Sequence, residues 1–125
     1  MPIYAKPLIL GLFAAVTMTL AVRAQDDAAK PPPSFRMCMG CHAKAPDQPG
    51  AIGPYLGGIV GRKAGSLPGY EYSEAMSKSG LTWDEATLRA FLNDPTKVVP
   101  GTKKVIAVKN PELLDGVIVY LKTLK

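Results

Sequence analysis

Apolar positions along this chain fall into one long block and several short stripes. The block runs from Leu8 to Val22 and is apolar or small apart from Thr17 and Thr19. A spanning helix takes ~20 apolar residues, so the block is short for one. Lys6 precedes it, Val22-Arg23-Ala24 closes it at a cleavage spacing, and polar Gln25-Asp26-Asp27 follows. A positive start, a short apolar middle and a small-residue cleavage site predict a signal peptide over residues 1–24. The expected destination is the bacterial periplasm, with no stable membrane span after cleavage. An uncleaved membrane anchor is the alternative.

Beyond the leader, residues 25–33 are a polar, proline-rich lead-in, and residues 34–125 form one domain. Ser34 is placed to cap a short helix through Phe35, Met37 and Cys41. Residues 43–69 are rich in Gly and Pro and predict a long loop. Residues 73–79 read as a two-turn helix stopped by Gly80. Thr82-Trp83-Asp84-Glu85 has a capping-box pattern, opening a helix with Leu88, Phe91 and Leu92 on one face and an end before Pro95. Residues 94–110 read as loop. Asn110 then caps a last helix, with Pro111 at its first position and Leu114, Val117, Ile118 and Leu121 as its apolar stripe. No strand and no repeat is predicted, so the fold class is all-α, with three to four helices and long loops.

Composition narrows the chemistry. The chain has 125 residues, 47% of them hydrophobic and 20% charged, which excludes a disordered chain and a multi-span membrane protein. Its net charge of +5 is mild and scattered, which argues against nucleic acid as a partner. Two cysteines and one histidine are too few for a structural zinc site or a disulfide framework. Short helices and long loops in so small a domain call for a staple of another kind.

Cys38-Met39-Gly40-Cys41-His42 supplies one. It is the C-x-x-C-H pattern of c-type haem attachment. Two thiols three residues apart on a helical turn face the same way and can add to the two vinyl groups of one haem. The next residue sets an imidazole beneath the iron. A thioredoxin-like dithiol would need a βαβ pattern that is absent, and a zinc knuckle lacks ligands. Cofactor and export agree, because this attachment takes place outside the cytoplasm.

From Phe35 to Lys122 the chain resembles the class I c-type cytochromes, nearest the mitochondrial cytochrome c and short bacterial photosynthetic cytochrome group. The matching segments beyond the attachment motif are Gly53-Pro54-Tyr55-Leu56, Gly61-Arg62-Lys63-Ala64-Gly65 and Pro68-Gly69-Tyr70-Glu71-Tyr72-Ser73. Gly80-Leu81-Thr82-Trp83, Leu92-Asn93-Asp94-Pro95, Val99-Pro100-Gly101-Thr102-Lys103 and Val117-Ile118-Val119-Tyr120-Leu121-Lys122 complete the set. The resemblance implies a class I cytochrome c fold around one haem c held by Cys38 and Cys41, with first and last helices crossing and Phe35 meeting Val117 and Leu121. It implies His42 as an iron ligand, with the Pro54 carbonyl accepting its Nδ1–H. It implies Arg62, Tyr72, Trp83 and Thr102 as donors to the haem propionates.

The chain departs from the family at one place. Where the family reads Pro-Gly-Thr-Lys-Met, with methionine as sixth ligand, this chain reads Pro100-Gly101-Thr102-Lys103-Lys104. Four states are open: Lys104 binds iron as a neutral amine, Lys103 does so after a one-residue slip, Met76 substitutes, or the position is open. Lys104 is the expected ligand, because iron relieves the cost of burying its amine. A nitrogen donor in place of a thioether favours ferric iron and lowers the potential. The implied function is a periplasmic monohaem electron carrier and not an enzyme. It would pass single electrons at the haem edge near Cys38 and Cys41, with no substrate binding iron. Lys97, Lys103, Lys104 and Lys109 suggest redox partners with an acidic docking face, met by a monomer. The alternative is a haem sensor or weak peroxidase with a displaceable sixth site, although no second histidine is present to act as its base.

Overall fold

The last helix sets the frame. The computed structural model describes residues 30–43, 45–48 and 51–125, and Pro31–Lys125 form one compact unit. The leader and most of the lead-in lie outside the described residues. Among those described there are four α-helices: α1 (Glu74–Ser77), α2 (Glu85–Asn93), α3 (Pro95–Val98) and α4 (Pro111–Leu121). No strand forms among them, only two isolated bridges, His42 with Gly53 and Lys63 with Thr82.

In α4, the Asn110 side chain accepts the Leu113 N–H and Pro111 occupies the first turn, where its missing N–H costs nothing. Leu114, Val117, Ile118 and Leu121 are all buried. A side-chain cap of this kind is worth about 1 kcal/mol. Asn110→Ala is therefore expected to lower unfolding free energy by about that much, read as a lower urea midpoint at unchanged slope.

Against α4 lies the N-terminal segment, and here the structure corrects the expected helix. Residues 33–41 form two 3₁₀ turns, Pro33–Phe35 and Cys38–Gly40. Ser34 does not cap: the first turn opens on Pro32-Pro33, and its bonds run from Phe35 N–H to Pro32 O (2.9 Å) and from Arg36 N–H to Pro33 O (3.2 Å). The crossing with α4 is nonetheless close. The rings of Phe35 and Tyr120 stand 4.6 Å apart, and a Cβ on Gly116 would lie 2.5 Å from Ser34 Oγ. Phe35 joins Val117 and Leu121 in one core cluster.

The capping box is also corrected. Asp84, not Thr82, caps α2, accepting the Thr87 N–H at 2.7 Å. Residues 81–83 cannot enter the helix because they are tied to residues 61–64. Gly61 N–H donates to Trp83 O, Trp83 N–H to Arg62 O, and Ala64 N–H to Leu81 O, at 2.8–2.9 Å. Leu88, Phe91 and Leu92 are buried as the pattern predicts. On the outer side Glu85 pairs with Lys122 (2.8 Å) and Arg89 with Asp115 (2.5 Å), linking α2 to α4. Residues 94–110 are not all loop, since Pro95 opens the one-turn α3 from a position that needs no N–H. The expected helix at 73–79 shortens to α1, with Ser73 accepting the Met76 N–H. Gly80, at φ 69°, turns the chain away.

Candidate functional site

Cys38 and Cys41 sit on one turn, closed by bonds to Cys38 O from Cys41 N–H (3.2 Å) and His42 N–H (3.0 Å). Both thiols are free and half-buried. Burial pushes the Cys38 thiol up from its ordinary range, and the charge on Lys104 opposes that. His42 Nδ1 stands 2.7 Å from Pro54 O. A carbonyl only accepts, so Nδ1 carries the proton and Nε2 keeps the lone pair. Burial pulls the His42 pKa down, the Pro54 carbonyl works against it, and Lys104 adds to the fall. A neutral imidazole with a fixed tautomer is the form that binds a metal.

The backbone passes very close to this ring. Gly53 N–H donates to Cys41 O at 2.7 Å, and Ala43 N–H to Gly53 O at 3.3 Å. A Cβ on Gly53 would stand 2.7 Å from His42 Nδ1. Only glycine lets Pro54 reach the imidazole, a role its place just before that proline hinted at.

The loop after α3 places its two lysines differently. Thr102 is buried, its N–H bonded to Val99 O at 3.0 Å and its Oγ1 accepting the Lys104 N–H at 3.3 Å. Gly101, at φ 93°, lies against α1, where a Cβ would come within 3.1 Å of Ala75 Cβ. Lys103 is exposed, donating from Nζ to Glu71 O (2.6 Å) and sitting 5.9 Å over the Tyr70 ring. Lys104 is half-buried and donates to Ile106 O. Burial pulls its amine below the usual lysine range, while Cys38 and Cys41 pull the other way. Met76 is buried in the apolar cluster.

The three other polar residues have local partners. Arg62 donates to Gly57 O (3.0 Å) and Tyr55 O (2.9 Å), and no carboxylate among the described residues lies within ion-pair distance of it. Tyr72 meets Tyr70 edge-on, with centroids 4.7 Å apart. Trp83 is buried with its ring 5.0 Å from Phe91. Tyr70, whose hydroxyl donates to Ile52 O at 2.6 Å, ties two loops together and has no signature of its own in the sequence.

No protein-family model matches the chain. Individual relatives do. The chain is similar to cytochrome c2 iso-2 of Magnetospirillum fulvum, 50% identical over 97 residues, which covers 77% of this chain and all of the relative. Cytochrome c2 of Rhodomicrobium vannielii is 45% identical over 111 residues, 88% of this chain and 89% of the relative. Among solved structures, cytochrome cH from Methylobacterium extorquens superposes with a TM-score of 0.65 at 48% identity, covering 72% of this chain and 91% of that one.

Proposed function

The chain belongs to the class I c-type cytochromes, and on that footing we propose that it carries single electrons between redox proteins of the periplasm at a lowered potential. It is an electron carrier and not an enzyme, with one covalently bound haem c. The observation that carries the reading is the turn at Cys38–His42, with Nδ1 committed to Pro54 O and Nε2 left to ligate. Two free thiols, a neutral imidazole and a guanidinium without a carboxylate partner form a donor set that fits haem. When bound, the haem supplies a one-electron ferric–ferrous couple.

The chain's own residues do the rest. Cys38 and Cys41 fix the group, and His42 ligates with its tautomer set by Pro54. Arg62, Tyr72, Trp83 and Thr102 serve the propionates; for Arg62 the reading is supported by a guanidinium with no carboxylate in ion-pair distance among the described residues. Lys104 is the sixth ligand. Its half-burial supports this, while Lys103 is exposed and engaged with the Glu71 carbonyl and the Tyr70 ring.

Export follows from the leader, with cleavage after Ala24, and no described helix is long and apolar enough to cross a membrane. Glu85 and Arg89 of α2 pair with each other and with Lys122 and Asp115, and Lys109 pairs with Asp94 at 3.8 Å. Lys97 and Lys103 remain without an ion-paired carboxylate among the described residues, and Val105 and Ile106, which follow Lys103 and Lys104 in the chain, are exposed. A monomer would offer that face to an acidic partner with an apolar centre.

A spectroelectrochemical titration tests the reading. One reversible electron per chain is expected, and Lys104→Met should raise the potential by on the order of 0.1 V, a fraction of the ~0.8 V that axial ligation spans. An irreversible or multi-electron wave would contradict the carrier.

A further inference from the structure

The Arg62 guanidinium grips the carbonyls of Tyr55 and Gly57 at 2.9 and 3.0 Å. Those two residues lie one and three positions after Pro54, whose own carbonyl stands 2.7 Å from His42 Nδ1. Arg62 is itself held firmly. Its N–H donates to Ile59 O (3.0 Å) and its carbonyl accepts the Trp83 N–H (2.9 Å). Trp83 is packed on Phe91 of α2. A continuous line of contacts therefore runs from the core through Arg62 to the segment that orients the imidazole.

We propose that Arg62 is a positioning residue for His42: by clamping the 55–57 carbonyls it holds the Pro54 carbonyl on Nδ1–H and so sets the donor strength of Nε2. The inference rests on haem ligation by His42 and goes beyond a charge for the propionates. The physical reason for arginine is its fork. Two N–H groups at fixed separation reach two carbonyls two residues apart in sequence, and an ammonium cannot reproduce that geometry. A hydrogen bond from Nδ1–H to an acceptor raises the basicity of a ligating histidine. Loosening it weakens the Nε2 donor, which disfavours ferric iron and raises the potential.

Arg62→Lys separates this role from a purely electrostatic one, because it keeps the cation and removes the fork. Haem content is checked first from the absorbance of the denatured protein, so that failure of haem attachment is seen as such. In the holoprotein, hydrogen exchange at His42 Nδ1–H is then followed by NMR beside the amides of Val117 and Ile118. Loss of one charge-assisted bond predicts exchange at Nδ1–H about tenfold faster relative to those core amides. The potential should rise in parallel. Arg62→Gln, which loses the cation as well, should show the same faster exchange. Exchange unchanged in both variants, or faster only in step with the core amides, overturns the proposal. An unchanged potential in Arg62→Lys with a lower one in Arg62→Gln would leave Arg62 as a charge alone and overturn it equally.

Discussion

Replacing Lys104 by alanine is expected to convert the ferric protein from low spin to high spin, with water or nothing at the sixth position. The loop that presents residue 104 is built by features alanine leaves intact. Gly101 turns it against α1, and the backbone of residue 104 is tied to buried Thr102. What alanine removes is the amine. A half-buried ammonium bears a desolvation cost, which pulls its pKa below the usual lysine range, and ligation as the neutral amine relieves it. Lys103→Ala should leave the spectrum unchanged, since Lys103 is engaged on the outside with Glu71 and Tyr70. Carbon monoxide should bind ferrous Lys104→Ala readily, which visible spectroscopy records directly. If Lys104→Ala stays low-spin and Met76→Leu does not, Met76 is the ligand. A wild-type ferric protein already high-spin at neutral pH would put the sensor or weak-peroxidase alternative ahead.

Loss of both attachment cysteines has the larger effect on the fold. Cys38→Ala with Cys41→Ala is expected to give a chain without cooperative unfolding. The regular structure is small: α2 has 9 residues, α4 has 11, and α1 and α3 have four each. Isolated helices below ~12–15 residues are marginal in water. Between them run segments such as residues 43–69, which hold no regular element among those described. No disulfide is present to confine them. A domain of this size needs a further constraint, and the attached cofactor is the one its sequence provides. Each single variant keeps one thioether and should fold less stably. A double variant that melts cooperatively near the wild-type temperature would show that the polypeptide core suffices.

What could be read from the chain was local. α4 was legible because cap, proline and apolar stripe all point the same way, and the turn at Cys38–His42 because its spacing is its chemistry. The first turn departs from the expected helix because the Phe35 and Met37 spacing suits an α-helix, while consecutive prolines favour a tighter start. The cap of α2 moved from Thr82 to Asp84 because pairing with residues 61–64, far off in sequence, keeps residues 81–83 extended. Pro95 ends α2 as the sequence implies, but it also opens a helical turn of its own. Arg62 could be read as a cation, but its partners could not: Tyr55 O and Gly57 O are backbone acceptors, and any residue there would supply them. The two adjacent lysines are alike in sequence, and only tertiary packing separates the exposed one from the half-buried one.

Covalent attachment of haem to an exported chain is decided by intact mass before and after extraction with acid and organic solvent. A chain beginning at Gln25 with the added mass of one haem, unchanged by extraction, is expected. Haem that leaves with the solvent, or a chain whose mass never included it, would contradict that attachment.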